Sequence, residues 1–219
     1  MNSRKKIKIL LVHGHIIVRQ GLCELFTNQS DVEVVGEVDV GENVVQATDM
    51  LKPDVIVIDI NMPKINVTAL TCQIIDRNPR IRFVALITNP HIHIIEHAIK
   101  AGFSGFISLN CGFNELVDAV RMVNKNGRYS CPQIRDILAK SYINRMHSDS
   151  EPESLSLTDR EYEIIRFLSM GMTSRKIATK MKVSFKTIDA GRRQIMRKLN
   201  IDSMAGLIKH AIRTGITSI

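Results

Sequence analysis

Across its first 128 residues the chain alternates short β-branched runs with stretches of helical periodicity. Strands are expected at 7–12, 32–38, 55–59, 83–87 and 105–109, and helices at 17–27, 41–52, 69–77, 94–101 and 114–126. The runs at 55–59 and 83–87 are almost wholly apolar, the pattern of parallel strands covered on both faces. Alternation sustained over this length leaves few topologies, because crossovers between parallel strands are right-handed and lay helices on the sheet. The expectation is a doubly wound α/β domain over residues 1–128.

After residue 128 the pattern changes. Residues 129–156 read as a linker, with a short helix at 132–146 followed by the polar run HSDSEPESLS. Residues 157–219 show no strand pattern. Thr158 and Glu161 have the spacing of a capping box, opening a helix that runs to Ser169 and stops at Gly171. Further helices are expected at 174–181, 185–199 and 203–213, which makes an all-α module of four helices. Two short helices joined by a tight turn, the second of them basic, form a helix-turn-helix pattern.

Charge divides along the same line. Residues 1–128 hold 14 basic and 13 acidic side chains, residues 129–154 hold 3 and 4, and residues 155–219 hold 13 and 5. The whole net charge of +8 therefore belongs to the C-terminal module, which points to a polyanionic partner. In the third helix of that module Ile188, Ile195 and Leu199 share a face and match Ile177 and Met181 of the preceding helix, so they are core. Lys186, Asp189, Ala190, Arg193 and Arg197 fall on the other face, where a helix seated in a major groove presents side chains to base edges and phosphates. Asp189 would repel phosphate, but it could accept from cytosine N4 or fix a neighbouring arginine.

Composition removes other classes. With 44% hydrophobic and 24% charged residues the chain is neither disordered nor fibrous. No apolar run approaches the roughly 18 residues of a membrane span. The basic start MNSRKKIKILLV lacks the small-residue site of a signal peptide. Cys23, Cys72, Cys111 and Cys131 show no C-x-x-C spacing, so neither a disulfide framework nor a cysteine metal site is expected. The expectation is a cytoplasmic protein with reduced thiols, no membrane association, no cofactor or resident metal, and no catalytic residue.

Residues 157–213 resemble the LuxR-type DNA-binding domain of NarL/FixJ response regulators. The matching motifs are L-T-x-R-E at 157–161, the glycine after the first helix, I-A at 177–178, S-x-K-T-I at 184–188 and I-M-R-K-L at 195–199. The resemblance implies double-stranded promoter DNA as partner, with Lys186, Asp189, Ala190 and Arg193 in or near the major groove. It also implies backbone contacts from Ser184, Thr187 and Arg192, and a last helix (205–213) that pairs two subunits into a homodimer. The pattern departs at Gly191, where many members carry His. A glycine inside a helix costs roughly 1 kcal/mol relative to alanine, so a looser recognition helix or an altered DNA contact is expected there.

The first 128 residues resemble the receiver domain of the same family, through K-I-L-L-V at 8–12, H-x-I-V-R-x-G-L at 15–22, P-D-V-I-V-I-D-I-N-M-P at 53–63 and A-I-K-A-G at 98–102. This implies a flavodoxin-like sheet of strand order 2-1-3-4-5, with its chemistry outside the C-terminal strand ends. Receivers accept a phosphoryl group on the aspartate that matches Asp59. An acidic pair after strand one holds Mg²⁺, and a Ser/Thr and a Lys end strands four and five. Here those places hold His13, Gly14, Ile87 and Leu109, with Thr88 adjacent. Mg²⁺ requires oxygen ligands, and phosphoryl transfer depends on positioning and charge neutralisation. The expectation is a degenerate receiver that is not switched by phosphorylation, with no histidine kinase as partner.

Three readings of Asp59 stay open. It is a carboxylate capping local backbone or pairing with His13, a residual phospho-acceptor, or a ligand with His13 and His15 for a metal that favours imidazole. His91, His93 and His97 read as surface histidines. For the whole chain the favoured reading is a sequence-specific transcriptional regulator acting as a dimer. The alternatives are a conventional phospho-acceptor response regulator and a protein-interaction regulator with weakened DNA binding.

Overall fold

A computed structural model describes residues 5–39, 43–60, 67–147, 157–213 and 216. The chain divides into two compact units, Met1–Ser141 and Tyr142–Ile219. In the first, β1 (Ile7–Val12), β2 (Val32–Val38), β3 (Val55–Asp59), β4 (Arg82–Ile87) and β5 (Gly105–Ser108) alternate with α1 (Ile16–Thr27), α2 (Val44–Leu51), α3 (Val67–Arg77), α4 (Ile92–Lys100) and α5 (Phe113–Asn124). A further strand, β6 (Tyr129–Ser130), and helix α6 (Pro132–His147) follow. The sheet is parallel throughout, in the order β2-β1-β3-β4-β5-β6. Every residue of β3 is buried, as are five of the six in β4, because helices cover both faces. The expected doubly wound fold and the order of its first five strands are present.

Two features were not anticipated. β6 pairs with β5, setting Tyr129 opposite Gly105 and Ser130 opposite Phe106. Two residues are too short to show a strand period, which is why the segment read as linker. Helix α6 is likewise no mere connector over its first turns. Cys131 and Ile134 are fully buried in the same core as the central strands, and Ile137 and Leu138 pack against it. The remaining differences lie at element ends. Helices α3 and α4 begin two residues earlier than expected, and β5 stops at Ser108, one residue before Leu109. Helix α2 is capped by the Asn43 side chain, which accepts from the Gln46 N–H at 3.1 Å. The first residues of its expected span and the 148–156 stretch of the linker lie outside the described residues.

Close packing of α5 on the sheet depends on Gly105. A Cβ there would fall 2.8 Å from Val84 Cγ2 and 3.2 Å from Val123 Cγ1. The strand therefore accepts only a bare backbone at this point.

The second unit holds α7 (Asp159–Ser169), α8 (Ser174–Lys180), α9 (Phe185–Lys198) and α10 (Met204–Arg213). Ile164, Ile165, Leu168, Ile177, Ile188, Ile195, Leu207 and Ala211 close one small core between them. Leu199 and Met181, expected in that core, are packed against it and partly buried.

Because the core of the first unit includes Cys131 and Ile134, a fragment ending at residue 128 should melt well below one ending at residue 147. In the full chain, Ile134→Ala should destabilise the first unit by about 3 kcal/mol, the range for a large buried aliphatic cut to alanine. Denaturant titration of the two fragments and of the variant checks both outcomes.

Candidate nucleic-acid interface and receiver pocket

The register of the central strands assembles the receiver pocket. Leu11 lies opposite Val57 and Val12 opposite Ile58, so the residue after β1 comes beside the last residue of β3. His13 and Asp59 are thereby brought together, with His13 Nε2 3.5 Å from Asp59 Oδ2. Both are buried, at 2% and 6% exposure. His13 Nδ1 accepts the His15 backbone N–H at 3.0 Å, which leaves the proton of the neutral ring on Nε2. Among the described residues that Nε2 has no hydrogen-bond partner. Burial pushes the His13 pKa below its ordinary value, Asp59 works against this, and His15 and Arg19 reinforce it.

Arg19 of α1 closes this end of the sheet. Its Nη1 donates to the His13 carbonyl at 2.5 Å, and the guanidinium lies 3.8 Å from both Glu37 and Asp39. The motif at 15–22 contains Arg19, but nothing in its spacing shows that it braces the backbone of His13. Ile87 is fully buried, Leu109 is 39% exposed, and Gly14 follows His13 in the chain. The pocket therefore presents a carboxylate and an imidazole whose charged form burial disfavours, with an aliphatic side chain at each of the two neighbouring strand ends. Mg²⁺ is a hard ion that takes oxygen ligands in near-octahedral geometry, and this donor set does not fit it. Among the described residues no group of three or more His, Cys, Asp and Glu is placed to hold a metal ion. His93 and His97 lie one turn apart on α4, with His91 preceding the helix.

In the second unit the α9 helix is oriented by its apolar side. Ile188 and Ile195 are fully buried. Gly191 faces the same way, since a Cβ there would lie 3.0 Å from Ile164 Cδ1 of α7. The departure at Gly191 thus sits on the packing side of the recognition helix. It permits close approach to α7, and the expected alteration of a DNA contact does not follow from its position. Ser184 caps the helix, its Oγ accepting the Thr187 N–H at 3.1 Å and lying 2.8 Å from Thr187 Oγ1.

The opposite side carries Lys186, Ala190, Arg193 and Arg197, all exposed. Ala190, Arg193, Met196 and Arg197 line a shallow open concavity. Asp189 lies at the border of this face. Its Oδ1 accepts from Arg192 Nη2 at 2.7 Å, and its Oδ2 is 3.3 Å from Arg193 Nη2. Arg192 stands on the shoulder towards the core, with its side chain 33% exposed against 68% for Arg193.

One basic residue counted towards the polyanion surface has an internal partner. Lys198 Nζ donates to Glu161 Oε2 at 2.8 Å, and the two side chains are 14% and 8% exposed. The same oxygen accepts the Thr158 backbone N–H at 2.8 Å and its hydroxyl at 3.0 Å. The capping box of α7 and the end of α9 therefore share one carboxylate. Burial alone would raise the Glu161 pKa, but the Lys198 ammonium and the Thr158 donors outweigh it and hold the carboxyl below its ordinary value. The capping box was legible from Thr158 and Glu161. Its link to Lys198, 37 residues away, was not.

A carboxylate whose pKa is depressed on folding stabilises fully above its unfolded value, and this contribution is lost as pH falls through the folded one. Glu161→Ala, which uncaps α7 and strands the Lys198 ammonium, should destabilise the second unit by about 3 kcal/mol at neutral pH. Below about pH 4.5 the difference between wild type and variant should shrink. Amide hydrogen exchange across α7 and α9, followed against pH, measures both effects.

Comparison with known proteins agrees with this architecture. The family described as "Response regulator receiver domain" matches residues 9–121, and "Bacterial regulatory proteins, luxR family" matches residues 155–211. The response regulator GacA of Pseudomonas aeruginosa is 31% identical over 210 residues, covering 96% of this chain and 97% of GacA. The transcriptional regulatory protein DegU of Brevibacillus brevis is 28% identical, covering 97% of this chain and 96% of DegU. RcsB from Salmonella enterica serovar Typhimurium, solved bound to promoter rprA in the presence of the phosphomimetic BeF3−, shares the fold. It has a TM-score of 0.71 at 19% identity, over 98% of this chain and 100% of RcsB. A parallel receiver sheet, a helix-turn-helix with an exposed basic face and matches over both halves lead to one assignment: the chain belongs to the LuxR-type (NarL/FixJ) family of DNA-binding transcriptional response regulators.

Proposed function

We propose that the chain is a sequence-specific regulator that binds promoter DNA as a homodimer in the cytoplasm, with a degenerate receiver that works without phosphorylation of Asp59. Residues 157–219 are the DNA-binding module, and residues 1–128 carry the receiver, which β6 and the first, buried turns of α6 complete before the chain passes on to the second module. The observation that carries the DNA part is the partition of α9, with Ile188 and Ile195 buried and Lys186, Ala190, Arg193 and Arg197 exposed on the other side. Ser184 and Thr187 at the N-terminus of α9 and Arg192 on its shoulder contact the sugar-phosphate backbone. Two such helices, related by a two-fold axis through the last helix, meet half-sites about one helical turn apart. The chain performs no catalysis and holds no cofactor or metal.

The receiver part rests on His13. A buried imidazole 3.5 Å from Asp59 stands where a second oxygen ligand for Mg²⁺ is needed. Ile87 and Leu109 offer a phosphoryl oxygen neither a hydroxyl nor an ammonium. On this reading the receiver is not switched by phosphorylation and is not served by a histidine kinase. The burial of Asp59 at the end of β3, where a phospho-acceptor belongs, favours a second reading as a conventional response regulator.

Footprinting of the unphosphorylated chain on genomic DNA should reveal protected sites with two-fold related halves, and sedimentation should give a dimer on them. Asp59→Ala should leave both results unchanged. A loss of operator affinity in that variant, or a stoichiometric gain of one phosphoryl mass after incubation with Mg²⁺ and a small phosphodonor, would favour the second reading. Arg197→Ala should weaken binding to all duplexes alike and reduce the salt slope of log affinity by about 1.

A further inference from the structure

The side chains of α9 also indicate which base it reads, an inference that rests on the DNA-binding reading above. Asp189 is the acid in a basic stretch, and by itself a carboxylate at a DNA face either accepts from a cytosine amino group or positions a neighbour. The geometry decides between the two. Its Oδ1 takes a hydrogen bond from Arg192 at 2.7 Å, and its Oδ2 lies 3.3 Å from Arg193 Nη2. Both oxygens are thus directed at guanidinium groups of its own helix. Arg192 is the fixed partner, set on the shoulder beside Ile188 and Ile195, with its Nε buried. Arg193 is the outward one, with its side chain 68% exposed while its Nη2 faces Asp189.

This pairing also aims Arg193. Asp189 is one turn nearer the N-terminus of α9, so the contact draws the guanidinium towards the end of the helix that reaches base edges. The carboxylate engages one amino group and leaves the rest of the planar fork available. Ala190, beside it on the rim of the concavity, contributes only a methyl group and leaves room for a base edge. A planar fork with two parallel donors matches the O6 and N7 acceptors of guanine. We propose that Arg193, braced by Asp189, reads the O6/N7 edge of a guanine in each half-site, and that Asp189 is a positioning residue making no base contact itself.

The test uses the full-length chain and duplexes selected from a random pool at physiological salt. Selected sites should share one fixed guanine per half-site. Replacing it by 7-deazaguanine, which removes N7 and keeps Watson–Crick pairing, should lower affinity about tenfold. Arg193→Ala should abolish the preference for guanine at that position. Asp189→Asn should retain or raise affinity for random duplex, because a negative charge leaves the face, while the guanine preference shrinks. A purely structural role for Asp189 would leave that ratio unmoved. The proposal is overturned by selected sites without such a guanine, by indifference to 7-deazaguanine, or by a cytosine preference that disappears in Asp189→Asn. It is also overturned if Arg193→Ala weakens all sequences equally, the behaviour of a phosphate contact. Failure of the wild-type chain to retain any duplex even at low salt would overturn the DNA-binding reading as well, and so separates the two.

Discussion

Parallel pairing of strands buried on both faces is the constraint from which the receiver follows. Once β3 and β4 are closed off by helices, the strand ends are where polar side chains can gather. The pairing of Leu11 with Val57 and Val12 with Ile58 decides which of them meet. His13 and Asp59 are neighbours for this reason, whatever their chemistry. An imidazole at that place alters what the pocket can bind without disturbing the sheet beneath it. The backbone there is held by strand pairing and by the Arg19 bond to the His13 carbonyl. Fold and switch are therefore separable in this domain: the first depends on aliphatic strands, the second on a few groups at their ends.

The second unit depends on an analogous division within a single helix. Burial of Ile188 and Ile195 and the close approach of Gly191 to Ile164 fix the rotation of α9 about its axis. With that rotation set, the outward residues have no freedom to trade places. Charge alone gives a poorer account of the surface. Lys198 is drawn inward to Glu161, Arg192 is held by Asp189, and Lys180 Nζ lies 4.7 Å from the centre of the Phe167 ring. Lys198 at least is withdrawn into a buried pair, so the working face is narrower than the count of basic residues suggests.

Much of this was legible in the residues. Alternating β-branched runs and helical stretches led to the doubly wound sheet because their periods are long and repeated. The helix-turn-helix followed from capping residues, apolar spacing and charge. The losses have physical causes. The two residues of β6 carry no period, and α6 mixes buried Ile134 with exposed Tyr142 and Met146, so its polarity looked like that of a connector. The Glu161–Lys198 pair, the Arg19 bond to His13 and the placing of His13 Nε2 beside Asp59 join groups or orientations that sequence spacing does not encode. The bond between Asp189 and Arg192 was within reach, since residues three apart share a helix face. Which of the two possible roles Asp189 takes required coordinates.

The rooting of α6 in the receiver core also bears on how such proteins recombine. A regulator assembled by joining one protein's sensing half to another's DNA-binding half needs a seam at which neither core is cut. Here the visible change in composition, after residue 128, is not that seam. A junction there would part β5 from its outer neighbour and leave a hole where Ile134 belongs. The usable seam lies past the buried first turns of α6, so those turns would travel with the receiver in any productive exchange, natural or engineered.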